Sequence, residues 1–145
     1  MAPETKSYKG NCFCGAVEFT VTGAPAAAGY CHCGSCRLWS AGPVNGFTLW
    51  PPAAVKVTKG EDRIGVFNKS EHSYRKFCTT CGGHLFTAHP PWDLIDVYAA
   101  VLSDFPFDPQ VHVHYSATVL PMKDGKPKFK DIPKEMGGTG ELIAE

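Results

Sequence analysis

The sequence lacks an excess of charge of either sign. Its 145 residues include 14 lysines and arginines and 14 aspartates and glutamates, so the formal net charge is zero with neutral histidines. A domain that binds the phosphate backbone of DNA or RNA usually carries a basic excess. We therefore predict that nucleic acid is not a partner of this protein.

The sequence also lacks an apolar run that could cross a membrane. Two uncharged runs reach 18 residues, at positions 19–36 and 38–55, but both contain proline, including Pro43, Pro51 and Pro52 in the second. The first ten residues contain lysines with no apolar stretch behind them, unlike a secretory signal. We expect a cytoplasmic protein with no membrane partner.

A third absence concerns helices, because no window of helical length shows apolar residues at a 3.6-residue spacing. Residues 16–22 instead alternate, with Val17, Phe19 and Val21 on one side, as in a half-buried strand. Further strands are predicted at 47–50, 54–58, 63–68, 73–77, 84–87, 94–102 and 111–115. The 15 glycines and 12 prolines spread along the chain favour many tight turns. These features and the mass of 15.7 kDa predict one mainly β domain.

The C-terminal segment, 122–145, has a different composition. It is rich in Lys, Asp, Gly and Pro and poor in large apolar residues. We expect a loosely attached tail, with a short ordered piece near Phe129 and Ile132.

The seven cysteines fall into three clusters, Cys12/Cys14, Cys31/Cys33/Cys36 and Cys78/Cys81. In a reducing compartment such clusters indicate metal binding or thiol chemistry rather than disulfides. Two cysteines at i and i+2 on a strand project to one side, and a Cys-x-x-Cys turn followed by Gly directs two sulfurs inward. Four glycines follow three of the cysteines, and there we expect either a positive φ or an amide that donates to a thiolate. They are Gly15, Gly34, Gly82 and Gly83.

Seven sulfurs divide naturally into four, which close a tetrahedral zinc site, and three, which leave one position open. The spacing does not say which clusters combine. A redox-active disulfide is an alternative for Cys-x-x-Cys, but it leaves the Cys-x-Cys pairs unexplained. A histidine could instead complete the three-sulfur site, although His32, between two cysteines, is expected to point away from the metal. The histidines available are His32, His72, His84, His89, His112 and His114.

Three motifs together resemble the glutathione-dependent formaldehyde-activating enzyme family. They are Gly-Asn-Cys-Phe-Cys-Gly at 10–15, Cys-His-Cys-Gly-Ser-Cys-Arg at 31–37 and Phe-Cys-Thr-Thr-Cys-Gly-Gly-His-Leu at 77–85. The resemblance implies an Mss4-like β fold of short antiparallel sheets with two Zn²⁺ ions, in a domain at 8–121 followed by the tail at 122–145. It also implies a closed structural site and an open second site, which is the candidate catalytic site. The closed site would comprise Cys12, Cys14, Cys78 and Cys81, and the open site Cys31, Cys33 and Cys36.

The resemblance implies a carbon–sulfur lyase that acts on glutathione adducts, either forming S-hydroxymethylglutathione from formaldehyde and glutathione or cleaving another conjugate. A three-thiolate zinc suits a soft fourth ligand such as a thiol. Glutathione carries two carboxylates, so a nearby cation is needed, and Arg37 is the first candidate, ahead of Arg75 and Lys76. The alternative is a non-enzymatic, zinc-stabilised protein-binding module, since fold does not imply function. After position 115 the family's aromatic-rich continuation is replaced by Ser-Ala-Thr-Val-Leu-Pro-Met.

Overall fold

The computed structural model describes residues 5–145. By internal contacts the chain divides into two compact units. Unit 1 comprises the described residues up to Ala27 together with Thr48–Pro106, and unit 2 comprises Ala28–Phe47 together with Phe107–Glu145. The predicted boundary between a domain at 8–121 and a tail at 122–145 stays a prediction.

Strands are the main regular elements of the described residues, and the predicted fold class, mainly β with short antiparallel sheets, is confirmed. The strands among the described residues are β1 Ser7–Asn11, β2 Glu18–Thr22, β3 Ala27–Cys31, β4 Asn45–Trp50, β5 Val55–Lys59, β6 Ile64–Ser70, β7 Ser73–Cys78, β8 His84–His89, β9 Leu94–Tyr98 and β10 Val111–Val113. One short helix, α1, runs over Gly34–Ser40. The remaining helical segments are single 3₁₀ turns.

Unit 1 contains a three-stranded antiparallel sheet in the order β1-β2-β5. The predicted alternation is present in β2, where Phe19 and Val21 are buried while Glu18 and Thr22 are exposed. A second set of strands follows the order β4-β9-β8-β7-β6. The apolar core of this unit includes Trp50 and several strand residues, with Cys12 and Cys78 among its fully buried members.

Unit 2 is built around β3, which pairs in parallel with β10, so that Val113 lies opposite Cys31. Gly29 is needed in β3, because a side chain there would overlap the Val111 carbonyl oxygen. The segment after Met122 belongs to this unit. It makes isolated bridges from Lys128 to His112 and between Phe129 and Leu142.

Each predicted strand has a counterpart in the structure, whereas β1, β3 and α1 were not predicted. In β1 the one buried residue is Gly10, and β3 contains two alanines and a glycine, so neither shows the apolar alternation that marks a strand. The seven-residue α1 is too short for a helical stripe. Within residues 5–145, no helix is long and apolar enough to span a bilayer.

Substituting Gly10 with alanine is expected to lower the free energy of unfolding by about 1–3 kcal/mol, the usual cost of overpacking a core. Gly10 pairs with Phe19 across β1 and β2, and an added Cβ would overlap the fully buried Phe19 ring. Urea unfolding of G10A measures the change. The matched control is G42A, where the nearest atom to a new Cβ lies 3.8 Å away. Equal midpoints for the two variants would contradict the prediction.

Candidate metal centres

Four cysteine sulfurs of unit 1 meet at one point. Cys12 and Cys14 follow β1, Cys78 ends β7, and Cys81 lies in the turn before β8. Their sulfurs all lie within 4.8 Å of one another. The Cys12–Cys14 and Cys14–Cys78 sulfurs are separated by 3.7 Å and 3.8 Å. The structure therefore brings together the four residues that the resemblance assigns to the closed site.

The spacing of these sulfurs fits a tetrahedral zinc ion. A zinc–sulfur bond of about 2.3 Å implies sulfur–sulfur separations of about 3.8 Å in a regular tetrahedron. Backbone amides also face the sulfurs, with Val17 donating to Cys12 Sγ at 3.3 Å and Gly83 donating to Cys81 Sγ at 3.3 Å. Donors of this kind stabilise thiolates, so the donor set suits a divalent, thiophilic metal. The ions themselves stay a prediction.

Glycine supplies the backbone conformation at two of these turns. Gly15 and Gly82 have φ values of 80° and 77°, which side chains rarely adopt. Their amides donate to the carbonyl oxygens of Cys12 and Cys78, which closes each turn. The Gly83 amide donates to Cys81 Sγ, which is the second of the two roles predicted for these glycines. Gly34 does neither; it is the first residue of α1.

Three further sulfurs meet in unit 2. Cys31 ends β3, Cys33 is the N-cap of α1, and Cys36 lies in its first turn. All three sulfurs lie within 4.8 Å of one another, and Cys31 and Cys36 are 3.5 Å apart. Cys33 Sγ accepts from the Cys36 amide at 3.2 Å, so the ligand loop and the helix start are one hydrogen-bonded unit. This group supplies one ligand fewer than tetrahedral zinc takes.

Protons are shared unequally among these sulfurs. Hydrogen bonds from Cys31 and then Cys36 lower the pKa of Cys33 to about 2, although burial acts in the opposite direction. Hydrogen bonding to Cys33 and Cys36, followed by burial, raises the pKa of Cys31 far above its usual range. Without metal the cluster therefore holds a thiolate at Cys33 and a thiol at Cys31. In the four-cysteine group, the amides of Cys81 and Thr80 lower the pKa of Cys78 to about 6 despite burial.

His32 lies between two of these cysteines, and its side chain turns into the protein. Its Nδ1 lies 2.8 Å from Thr118 Oγ1, and its Nε2 lies 2.8 Å from His112 Nδ1. The ring is fully buried, and burial first, then the charge of His112, lowers its pKa to about 4. This agrees with the prediction that His32 points away from the sulfurs. Among the described residues, neither sulfur group includes a histidine.

Arg37, the predicted glutathione contact, lies directly after Cys36 on α1 and is half-buried. Its Nε donates to the His32 carbonyl at 3.4 Å, which holds the guanidinium against the loop that carries the cysteines. A role in substrate binding stays a prediction. Arg75 and Lys76 belong to β7 in unit 1 and precede the four-cysteine group.

An ionic cluster that joins the exposed Asp124 to the buried His112 and Lys128 was not predicted. His112 Nε2 lies 2.7 Å from Asp124 Oδ2, and Lys128 Nζ lies 2.9 Å from Asp124 Oδ1. Burial raises the pKa of Asp124, but hydrogen bonds from Lys128 and His112 outweigh it and hold the pKa well below its usual range. Lys128 is 1% exposed. The acidic and basic residues of 122–145 suggested a solvated tail, and no periodic signal in the sequence marks Lys128 as buried.

Comparison with known proteins supports the motif-based assignment. The profile of the family described as glutathione-dependent formaldehyde-activating enzyme matches residues 7–117, which contain both sulfur groups. The chain belongs to this family. The resemblance on the cysteine motifs is thereby confirmed, and so is the prediction of an enzyme of this type.

Two curated relatives are similar to the chain. A putative glutathione-dependent formaldehyde-activating enzyme from Halomonas elongata is 28% identical over 151 residues, covering 94% of this chain and 92% of the relative. An uncharacterized lyase from Schizosaccharomyces pombe is 29% identical over 82 residues, covering 57% of this chain. That alignment spans 58% of the yeast protein.

A solved structure supports the fold. The crystal structure of a Rhodobacter sphaeroides protein matches with a TM-score of 0.56 at 24% identity. The match covers 67% of this chain and 89% of that protein.

The three-cysteine group is expected to bind Zn²⁺ or Cd²⁺ more tightly as the pH rises. Since the pKa of Cys31 is raised, a metal must displace its proton, whereas Cys33 is already ionised. For each proton that the metal displaces, the apparent association constant rises about tenfold when the pH rises by one unit, and it falls by the same factor when the pH falls by one unit. Competition with a chromophoric chelator between about pH 6 and about pH 8 measures this dependence. A constant affinity over that range would contradict it.

Proposed function

We propose that the protein is a zinc-dependent carbon–sulfur lyase that acts on glutathione adducts such as S-hydroxymethylglutathione. The observation that carries the proposal is the group formed by Cys31, Cys33 and Cys36. Family membership supports the reaction class, and the names of the curated relatives point the same way. Two Zn²⁺ ions and glutathione are the proposed cofactor and substrate.

The proposed reaction makes or breaks one carbon–sulfur bond. In the forming direction, the glutathione sulfur bonds to the carbonyl carbon of formaldehyde, and the thiol proton ends on the oxygen that becomes a hydroxyl. In the cleaving direction, the electron pair of the carbon–sulfur bond stays with sulfur, and the hydroxyl proton is lost as the carbonyl reforms. No oxidant or reductant is needed in either direction.

The role of the metal is to favour the thiolate. A zinc ion held by three thiolates supplies a soft Lewis-acidic centre with one position for an outside thiol, which is only a few per cent ionised at neutral pH when free. The three cysteines that would hold this centre lie at the end of β3 and the start of α1, where the Cys36 amide donates to Cys33 Sγ. Three thiolates around one divalent ion leave a negative charge, which disfavours hydroxide formation and leaves charge for a cation to balance.

Arg37 is the proposed cation. It lies on α1 next to Cys36, and its Nε hydrogen bond to His32 restricts the orientation of the guanidinium. Guanidinium and carboxylate groups form strong charge-assisted hydrogen bonds, and glutathione has two carboxylates. Arg37 would therefore bind and orient the tripeptide while the cysteines act on its sulfur.

We also propose a cytoplasmic location, since none of the seven cysteines forms a disulfide bond and the two groups need reduced sulfur. The same compartment contains glutathione in its thiol form.

Substituting Cys33 with alanine is expected to abolish the acceleration of adduct exchange, because the three-cysteine group would lose the thiolate that stabilises its metal. The adduct also forms spontaneously, so exchange between labelled formaldehyde and S-hydroxymethylglutathione should be followed by ¹³C NMR against a protein-free sample. Zinc content should fall from two ions per chain to one. The thermal midpoint should fall, because the variant loses both the ion and the α1 cap, but the chain should stay folded at the assay temperature since Cys33 is half-buried and lies outside the core.

The matched control for C33A is S35A, which changes an exposed hydroxyl in the same loop. It should keep both ions and full exchange. If adduct exchange is as fast with C33A as with the wild type, the proposed lyase activity is wrong. If the wild type binds two zinc ions but does not accelerate exchange, the result favours a non-enzymatic protein-binding module.

Substituting Arg37 with methionine is expected to raise the KM for the glutathione adduct about tenfold while kcat changes little. Loss of one partly solvated, charge-assisted hydrogen bond corresponds to about 1.4 kcal/mol of binding. Steady-state kinetics at fixed zinc occupancy measure the two constants. The control is R63M in unit 1, which removes an exposed guanidinium that contacts Thr80 of the same unit. An unchanged KM in R37M would show that the carboxylates bind elsewhere.

A further inference from the structure

A row of hydrogen bonds runs through unit 2 from Thr118 to Lys128. Thr118 Oγ1 lies 2.8 Å from His32 Nδ1, His32 Nε2 lies 2.8 Å from His112 Nδ1, and His112 Nε2 lies 2.7 Å from Asp124 Oδ2. Lys128 Nζ donates to the other carboxylate oxygen, Oδ1, at 2.9 Å. Both imidazoles are fully buried, and Lys128 is buried with them. Each ring nitrogen in the row therefore has one defined partner.

The chemistry of Asp124 decides the direction of every bond in the row. An ionised carboxylate accepts and does not donate, so His112 Nε2 carries a proton. When each ring carries a single proton, His112 Nδ1 is a lone pair that accepts from His32 Nε2–H. His32 Nδ1 in turn accepts from the Thr118 hydroxyl, whose oxygen also accepts from the Leu120 amide at 3.1 Å. One carboxylate thus selects the same tautomer, Nε2–H, in two histidines.

This row passes through the residue that connects two of the sulfur ligands. His32 lies between Cys31 and Cys33, and the residue is held at four points. Its amide donates to the Val113 carbonyl at 3.1 Å, its carbonyl accepts from Arg37 Nε at 3.4 Å, and its two ring nitrogens belong to the row. A ring that lost its bonds would be a buried, unpaired polar group, so the whole residue would shift to satisfy it.

We propose that Asp124 is a positioning residue of the three-cysteine site: it sets the tautomers of His112 and His32 and so holds the His32 backbone that orients Cys31 and Cys33. The role of the cysteines as metal ligands rests on the proposed function, whereas the order of the tautomers does not. Asp124 lies 92 residues after His32 in sequence and acts through two imidazole rings. Its own hydrogen bonds are to His112, Lys128 and the Lys126 amide, and none of them is to a cysteine sulfur.

Substituting Asp124 with asparagine is expected to reverse the row. Lys128 only donates, so the amide oxygen of Asn faces Nζ and its NH₂ group faces His112. His112 Nε2 then becomes the acceptor, its Nδ1–H donates to His32 Nε2, and His32 Nδ1–H donates to the Thr118 oxygen. Both rings change from Nε2–H to Nδ1–H without a change in the number of protons. A role in packing alone would not move a tautomer.

Long-range ¹H–¹⁵N correlation of histidine-labelled protein at about pH 8 reads the tautomers directly. The wild type should show Nε2–H at His32 and His112, and D124N should show Nδ1–H at both. T118V removes the hydroxyl at the far end of the row and should keep Nε2–H, because the carboxylate remains. D108N makes the same chemical change at an exposed aspartate of unit 2 and should keep the wild-type pattern.

The effect on the site is read with ¹¹³Cd²⁺, which gives separate resonances for the four-sulfur and three-sulfur groups. In D124N each ring keeps its partners, but the charge-assisted bond between the carboxylate and His112 becomes a weaker neutral one, so the row holds the His32 backbone less firmly. The three-sulfur resonance should therefore shift, and its Cd²⁺ affinity should fall about tenfold, the scale seen when a group that supports a metal ligand is weakened. The four-sulfur resonance should not change, which also shows that the variant is folded. D108N should match the wild type in both resonances.

Two kinds of result would overturn the proposal. Nδ1–H at either histidine of the wild type, or a doubly protonated His112, would contradict the assigned direction without any variant. Reversed tautomers in D124N with unchanged Cd²⁺ binding would show that Asp124 does not position the cysteines. Failure of the proposed function is distinct: the wild type would bind Cd²⁺ at both groups, with the tautomers as assigned, and yet not accelerate adduct exchange.

Discussion

The convergence of four cysteine sulfurs is the interaction on which unit 1 depends. It joins the loop after β1 to the turn between β7 and β8, with 63 residues between Cys14 and Cys78. Closing such a loop costs about 3.7 kcal/mol plus a constant, and structural zinc contributes about 10–16 kcal/mol in small peptides. Because Cys12 and Cys78 are also fully buried core residues, the proposed metal ligands and the apolar core form one structure.

The three-cysteine group is held differently. Its ligands span residues 31–36, so no long loop has to close, and the sulfurs are placed by the end of β3 and the first turn of α1. Because this short loop carries one cysteine fewer than the other group, its backbone has to be held in place by contacts with the rest of unit 2. His32 supplies this support, because its ring lies in the buried row with His112 and its carbonyl holds Arg37. The four-cysteine group therefore suits a structural metal site, and the three-cysteine group, with one coordination position left for a substrate, suits a catalytic one.

Much of the site could be predicted because it depends on local spacing. Cysteines two or three residues apart, with glycine at the turns, form half-sites whatever the rest of the chain does. Strands with alternating apolar residues, such as β2, were predicted for the same reason. By contrast, β1 and β3 are strands because of their neighbours: Phe19 covers Gly10, and β10 pairs along Gly29 and Cys31. Tertiary pairing there overrides weak local propensity.

The sequence by itself determined the kind of ligand, the three half-sites and, through its motifs, the family. The tertiary structure decided that Cys12 and Cys14 combine with Cys78 and Cys81, a choice that spacing left open because it depends on packing across many residues. It also decided that Lys128, in a segment with the composition of a solvated tail, lies buried behind His112, where Asp124 and Glu145 supply the opposite charge. A lysine can be buried where carboxylates face its ammonium group, and whether the fold buries such a group is not visible in the composition of the segment.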